Sequence, residues 1–227
     1  TYIAEGPGSP AADVLGHALP RVLRLWGAGL RAAPGVRSPD ETGEALRDAG
    51  FHADLAALAS LGLRSFGLDG ERRLLGGSND PQKIELTGEA LLRVLRHFGE
   101  HLLRRNTCLT YPTKLLMLMT GLTPALDGRV RAGLRRASFA GYAAVQRMPE
   151  SVDDAEFRNL YALLFLLGDC WARHEALLTQ GLARSEEGRR IDSLDSPGRV
   201  FDVLLFNKRC YLLRGWGCER GWQRRLV

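Results

Sequence analysis

Asp127 stands between an apolar stretch and a basic one. Upstream, Tyr111-Pro112-Thr113-Lys114-Leu115-Leu116-Met117-Leu118-Met119-Thr120 reads as a buried helix that Gly121 terminates, and Leu122-Thr123-Pro124-Ala125-Leu126 reads as an extended connector. Downstream, residues 128–136 read as a helix carrying Arg129, Arg131, Arg135 and Arg136. Asp is a favoured N-cap because its carboxylate accepts the unpaired amide hydrogens of the first turn. A helix N-terminus with arginines nearby attracts anions such as phosphate. A carboxylate held beside phosphates is electrostatically out of place unless it has a task, and steadying a developing positive charge is one such task. The plain alternative is that Asp127 caps a helix and does nothing more.

This stretch resembles the helix-hairpin-helix superfamily of DNA glycosylases. In that family an apolar helix ends in Gly, and a Pro-containing connector leads to a catalytic Asp. The adenine glycosylases carry L-D-G-x-V-K/R at that point, and this chain has Leu126-Asp127-Gly128-Arg129-Val130-Arg131. The similarity covers about residues 106–137. It implies that Asp127 is the catalytic carboxylate, stabilising an oxocarbenium-like sugar as the base leaves. It also implies base flipping out of double-stranded DNA. Bifunctional members use a lysine that forms a Schiff base. Lys114 is the lysine of this region, thirteen residues before Asp127 and inside the helix, which makes it a phosphate contact or a second catalytic group. The family's hairpin reads L-P-G-V/I-G; here Arg105-Asn106-Thr107-Cys108-Leu109-Thr110-Tyr111-Pro112 stands instead, without the Gly pair. The hydroxyls of Thr107, Thr110 and Thr113 are then the candidate substitutes as DNA contacts, beside Arg129, Arg131 and Arg135. The family's iron–sulfur cysteines are missing too, which makes the chain a divergent member. The implied substrate is a damaged or modified base, and an antiviral branch acting on hypermodified cytosine in phage DNA fits such divergence.

Aromatic side chains supply candidates for a pocket that holds a flipped base: Tyr111 beside the motif, Trp26 in the first long helix, and Trp171 in Gly168-Asp169-Cys170-Trp171. Such residues are more often ordinary core. In the tail, residues 214–225 interleave Arg, Trp and Gly, a pattern that suits nucleic acid or a solvated chain end.

A second constellation is Arg96-His97-Phe98-Gly99-Glu100-His101. Its Arg and His resemble the R-x4-6-H signature of HEPN ribonucleases, which implies RNA cleavage by Arg96 and His101 in a helical dimer. The competing explanation is two histidines one turn apart on a partly exposed helix face. A metal would need a third ligand, and the sequence places none nearby. Cys108, Cys170, Cys210 and Cys218 form no C-x-x-C pair, so they read as free thiols, with Cys170 in a core. No metal and no cofactor is expected. A non-catalytic helical nucleic-acid-binding module is the third reading.

Helices must position all of this. Val14-Leu15, Ala18-Leu19, Val22-Leu23 and Leu25-Trp26 recur at helical spacing, with Pro20 as a kink or first turn. Ser38 and Pro39 read as a cap and first helical position. Leu55, Leu58, Ala59 and Leu61 mark a short helix. Residues 66–81 are turn-rich and read as a loop between subdomains. A long helix follows, with Leu91, Val94, Leu95, Phe98 and Leu102 inward, ending in Arg104-Arg105-Asn106. Asp153-Asp154 open a helix with Phe157, Leu160, Leu163, Leu164 and Leu167 buried, running to about Leu178; residues 185–195 read as loop, and Ser196-Pro197-Gly198 open the last helix. No strand pair is evident. The expected fold is all-α, glycosylase-like, with two closely packed helical subdomains: a central one over about 82–137, and 138–227 packing back on the N-terminal helices.

The chain has 227 residues, with 31 Lys plus Arg against 26 Asp plus Glu and a net charge of +5. Only Lys83, Lys114 and Lys208 are lysines, so the positive charge is nearly all Arg, which matches phosphate bidentately. Codon bias toward arginine accounts for the composition equally well. No apolar run approaches the ~18 residues of a membrane span, and the first residues lack a secretory profile. A soluble, cytoplasmic monomer is the expectation.

Overall fold

The computed structural model describes residues 1–30, 33–104, 108–137, 139, 142–153, 157–183 and 196–206. The expected loop at 185–195 and the Arg/Trp/Gly tail lie outside these residues, as do Thr107, Cys210 and Cys218.

Local sequence signals set most helix starts. Helix α1 (Tyr2–Glu5) leads into α2 (Pro10–Leu25), which begins on Pro10 and keeps Pro20 inside it. Ser38 and Glu41 form a reciprocal capping box at the start of α3 (Pro39–Leu46). Asp48 caps α4 (Ala49–Leu61), and Asp80 caps α5 (Pro81–His97). Then come α6 (Thr110–Thr120), α7 (Gly128–Arg136), α8 (Ala143–Gln146), α9 (Phe157–Ala183, kinked at His174) and α10 (Pro197–Phe206). The chain is predominantly helical, and no described helix is long and apolar enough to cross a membrane.

Two short antiparallel pairs correct the expectation that strands are lacking. Strands β2 (Phe66–Asp69) and β3 (Arg72–Leu75) form a hairpin closed by Gly70-Glu71, where a loop was expected. Four-residue strands flanked by glycines leave too little alternation to read as a pair. Phe66 and Leu75 nonetheless sit in the core, at 1% and 0% exposure. The second pair joins β1 (Gly35–Val36) to β4 (Leu103–Arg104). The expected long helix therefore stops at His97; Phe98–Leu102 is a π-helical turn, and Arg104 lies in a strand.

One continuous apolar core runs from Tyr2 to Leu205. Helix α9 lies mainly against the hairpin and the 3-10 turn Leu63–Ser65, and α10 against α7 and α9. The later helices thus pack chiefly on the middle of the chain rather than on α1–α4. Helix α10 meets α7 at Gly133, where a Cβ would sit 2.5 Å from the Leu205 carbonyl oxygen. Propensity alone predicts that Ala at this helical position stabilises by about 1 kcal/mol. The close contact predicts the reverse: Gly133→Ala lowers stability by at least ~1 kcal/mol, read as a drop in Tm.

Candidate functional site

The site is built on the connector between α6 and α7. Gly121 ends α6 in the left-handed conformation, at φ +65, and residues 121–126 are all buried. Buried backbone polar groups must find partners inside the protein. Thr113 accepts a hydrogen bond from the Leu126 amide at 3.0 Å. The Leu126 carbonyl accepts from Arg131 Nε at 3.0 Å and from the Thr110 hydroxyl at 3.4 Å. The Ala125 amide donates to Asp202 Oδ1 at 3.0 Å. Helix α10 can come this close because residue 198 is glycine; a Cβ there would lie 2.4 Å from the Gly121 oxygen.

The clamp delivers Asp127 to the N-terminus of α7, where the sequence puts it. Asp127 Oδ1 accepts from the Arg129 and Val130 amides, both at 2.9 Å. The residue is half-buried, and Oδ2 takes no hydrogen bond among the described residues. The carboxylate is therefore fixed by one oxygen and open at the other, outside any dry interior.

Lys114, Tyr111 and Trp26 come together. The Lys114 ammonium lies 4.9 Å from the Tyr111 ring centre and 5.4 Å from that of Trp26. The Tyr111 hydroxyl donates to the Trp26 carbonyl at 3.4 Å, and burial pushes its pKa up. Arg129 and Arg135 are exposed, with the Arg129 guanidinium 4.7 Å from the Phe206 ring centre.

Four sequence-based assignments need correction. Thr113 is fully buried and Arg131 half-buried, and both are spent on holding backbone. Arg131 also donates to the Met148 and Pro149 carbonyls, so its guanidinium serves the fold and not a phosphate. Thr110 likewise spends its hydroxyl on the connector. Trp171 is 4% exposed, with Arg64 over its ring and Phe201 at its edge, so it offers no face to an incoming base.

The sequence reading missed Asp202. It is 8% exposed, and its Oδ2 meets Arg199 at 2.8 Å. Burial pushes its carboxyl up to about 6, against the pull of Arg199 and of the Ala125 amide. The charge of Asp127 raises it further and that of Lys114 opposes the rise. Arg199-x-x-Asp202 is an ordinary helical pair spacing, and only the fold brings it to the connector.

The HEPN-like residues are differently engaged. Arg96 pairs with Asp153 at 3.1 Å. His97 bonds the Ala45 carbonyl at 2.9 Å and stacks on Phe51, and burial lowers its pKa. His101 is exposed, 3.9 Å from Glu100. Among the described residues no three His, Cys, Asp or Glu side chains gather in metal-binding geometry. Cys170 is buried and Cys108 half-buried.

Comparison with protein-family models, with curated proteins and with solved structures finds no match to this chain.

The Asp202 carboxyl titrates near 6 in the folded chain and near 4 when unfolded. Between those values the folded state binds more protons, so stability falls as pH rises through the window. The difference is worth about 3 kcal/mol. Asp202→Asn keeps an acceptor for the Ala125 amide and removes the titration. Chemical denaturation from pH 4 to 7 should show a flatter stability profile in that variant; an unchanged slope rejects the assignment.

Proposed function

We propose that the chain is a DNA N-glycosylase that removes a damaged or modified base, with Asp127 as its catalytic carboxylate. One observation carries this reading: a half-exposed Asp127 at the start of α7, with Oδ1 fixed by two amides and Oδ2 without a hydrogen bond among the described residues.

The chemistry follows from those positions. Breaking the bond between sugar and base leaves positive charge on the sugar, and water adds to the same carbon. Asp127 Oδ2 stabilises that charge, and its fixed orientation avoids reorganisation at the moment of reaction. Lys114 contacts a phosphate of the extruded nucleotide. Trp26, which is partly exposed, is the ring against which the extruded base stacks, and the buried Tyr111 holds the Trp26 backbone through its hydroxyl. Arg129 and Arg135, exposed on α7, grip the strand by its phosphates. Asp202 is a positioning residue: it holds the Ala125 amide and so the backbone that aims Asp127. The leaving base takes its proton from solvent or from a group on the DNA side. The Leu-Asp-Gly-x-Val-Arg motif gives the same assignment by resemblance. A modified base is the substrate class most in keeping with the chain's divergence from the family pattern, hypermodified cytosine of phage DNA included.

Asn is as good an N-cap as Asp, so Asp127→Asn separates capping from catalysis. Base release from duplex DNA carrying modified bases, followed by mass spectrometry, should fall at least ~100-fold. Duplex binding and Tm should stay close to wild type. Base release that persists in the variant removes the proposal.

A further inference from the structure

A cavity lies elsewhere, between the β2–β3 hairpin, the first turns of α5 and the start of α9, with a volume of about 730 Å³. That is ordinary for a small-molecule site. Its floor is apolar, made by the partly exposed side chains of Ile84, Leu92 and Phe157. Tyr161 forms a fixed wall, because its hydroxyl donates to the Ile84 carbonyl at 2.6 Å. Burial pushes that phenol up to about 12, so it stays a neutral donor.

Three arginines line this space: Arg72, Arg73 and Arg158. None has a carboxylate partner among the described residues. Arg73 is the most constrained, half-buried with its guanidinium 5.6 Å from the Phe165 ring centre. Burial lowers its pKa with no ion pair to offset the loss of water. A desolvated, unneutralised arginine gains most from an arriving anion. Of the three glutamates in the lining, Glu89 is drawn to Arg93 at 3.7 Å, while Glu71 and Glu85 have no cation partner among the described residues. Two free carboxylates repel a polyanion such as a nucleic-acid strand but accept hydrogen bonds from a small ligand's hydroxyls.

We propose that this cavity binds a small organic anion of nucleoside-monophosphate type, with its phosphate on Arg73 and Arg158, its flat ring on the apolar floor and its hydroxyls toward Glu71 and Glu85. The site is independent of Asp127 and of the activity assigned to it.

The test is isothermal titration calorimetry on the full chain with adenosine monophosphate, and with adenosine and inorganic phosphate as partial ligands. Saturable one-to-one binding with Kd below ~1 mM is expected. Each partial ligand should bind at least ~10-fold more weakly. Arg73→Gln should weaken binding at least ~10-fold, and Asp127→Asn should leave it unchanged. Arg158 is exposed, so Arg158→Gln should keep the fold and still weaken binding several-fold. No saturable binding up to several millimolar overturns the proposal. So does binding that survives both arginine substitutions, or binding that Asp127→Asn removes.

Discussion

A stretch of backbone without regular structure lies buried between α6 and α7, and its polar groups must be satisfied without water. That constraint organises the middle of the molecule. A buried amide left unpaired costs about 1–3 kcal/mol. The connector answers with side chains from three directions: Thr110 and Thr113 from the helix before it, Arg131 from the helix after it, and Asp202 from the end of the chain. Three of those contacts end on Leu126, the residue next to Asp127. The backbone that carries the candidate carboxylate is therefore among the best anchored in the chain.

The same anchoring sets the electrostatics. Holding the Ala125 amide requires an acceptor in the interior, and a carboxyl there resists ionisation. Arg199 lowers the cost by pairing with it, while Asp127 raises the cost from the surface side. Lys114 balances part of that negative charge and is itself held over two aromatic rings. The result is a graded arrangement, with one carboxyl inside, one carboxylate at the surface and one ammonium between aromatic faces. Removing Asp127 or Lys114 changes the field at Asp202, so each of the two positions should be non-additive with Asp202 in double-mutant cycles.

Much of the fold was legible because it depends on local chemistry. Ser38-Pro39 and Asp127-Gly128 announce helix starts within one turn, and both helices begin where those signals put them. The hairpin at 66–75 was hidden because each strand is four residues long and is held by burial of Phe66 and Leu75, not by its own pattern. At the site, Asp127, Lys114 and Tyr111 were legible from the motif, whereas Trp26 was named by residue type alone and only the fold brings it to Lys114. Arg131 and Thr113 were legible as polar residues near the motif but not in their duty, since only three-dimensional packing gives them carbonyls and amides to bind. Trp171 was assigned to a pocket by residue type, yet its partners Arg64 and Phe201 are distant in sequence. Asp202 had no local signal at all: seventy-seven residues separate it from the amide it holds.

The central claim is that Asp127 presents negative charge to a sugar that turns positive. Equilibrium binding to two duplexes tests it most directly, one with a protonated pyrrolidine in place of a deoxyribose and one with a neutral tetrahydrofuran at the same position. A site complementary to the charged transition state should prefer the pyrrolidine at least ~10-fold, and Asp127→Asn should erase that preference. Equal affinity of the native chain for the two duplexes would contradict it.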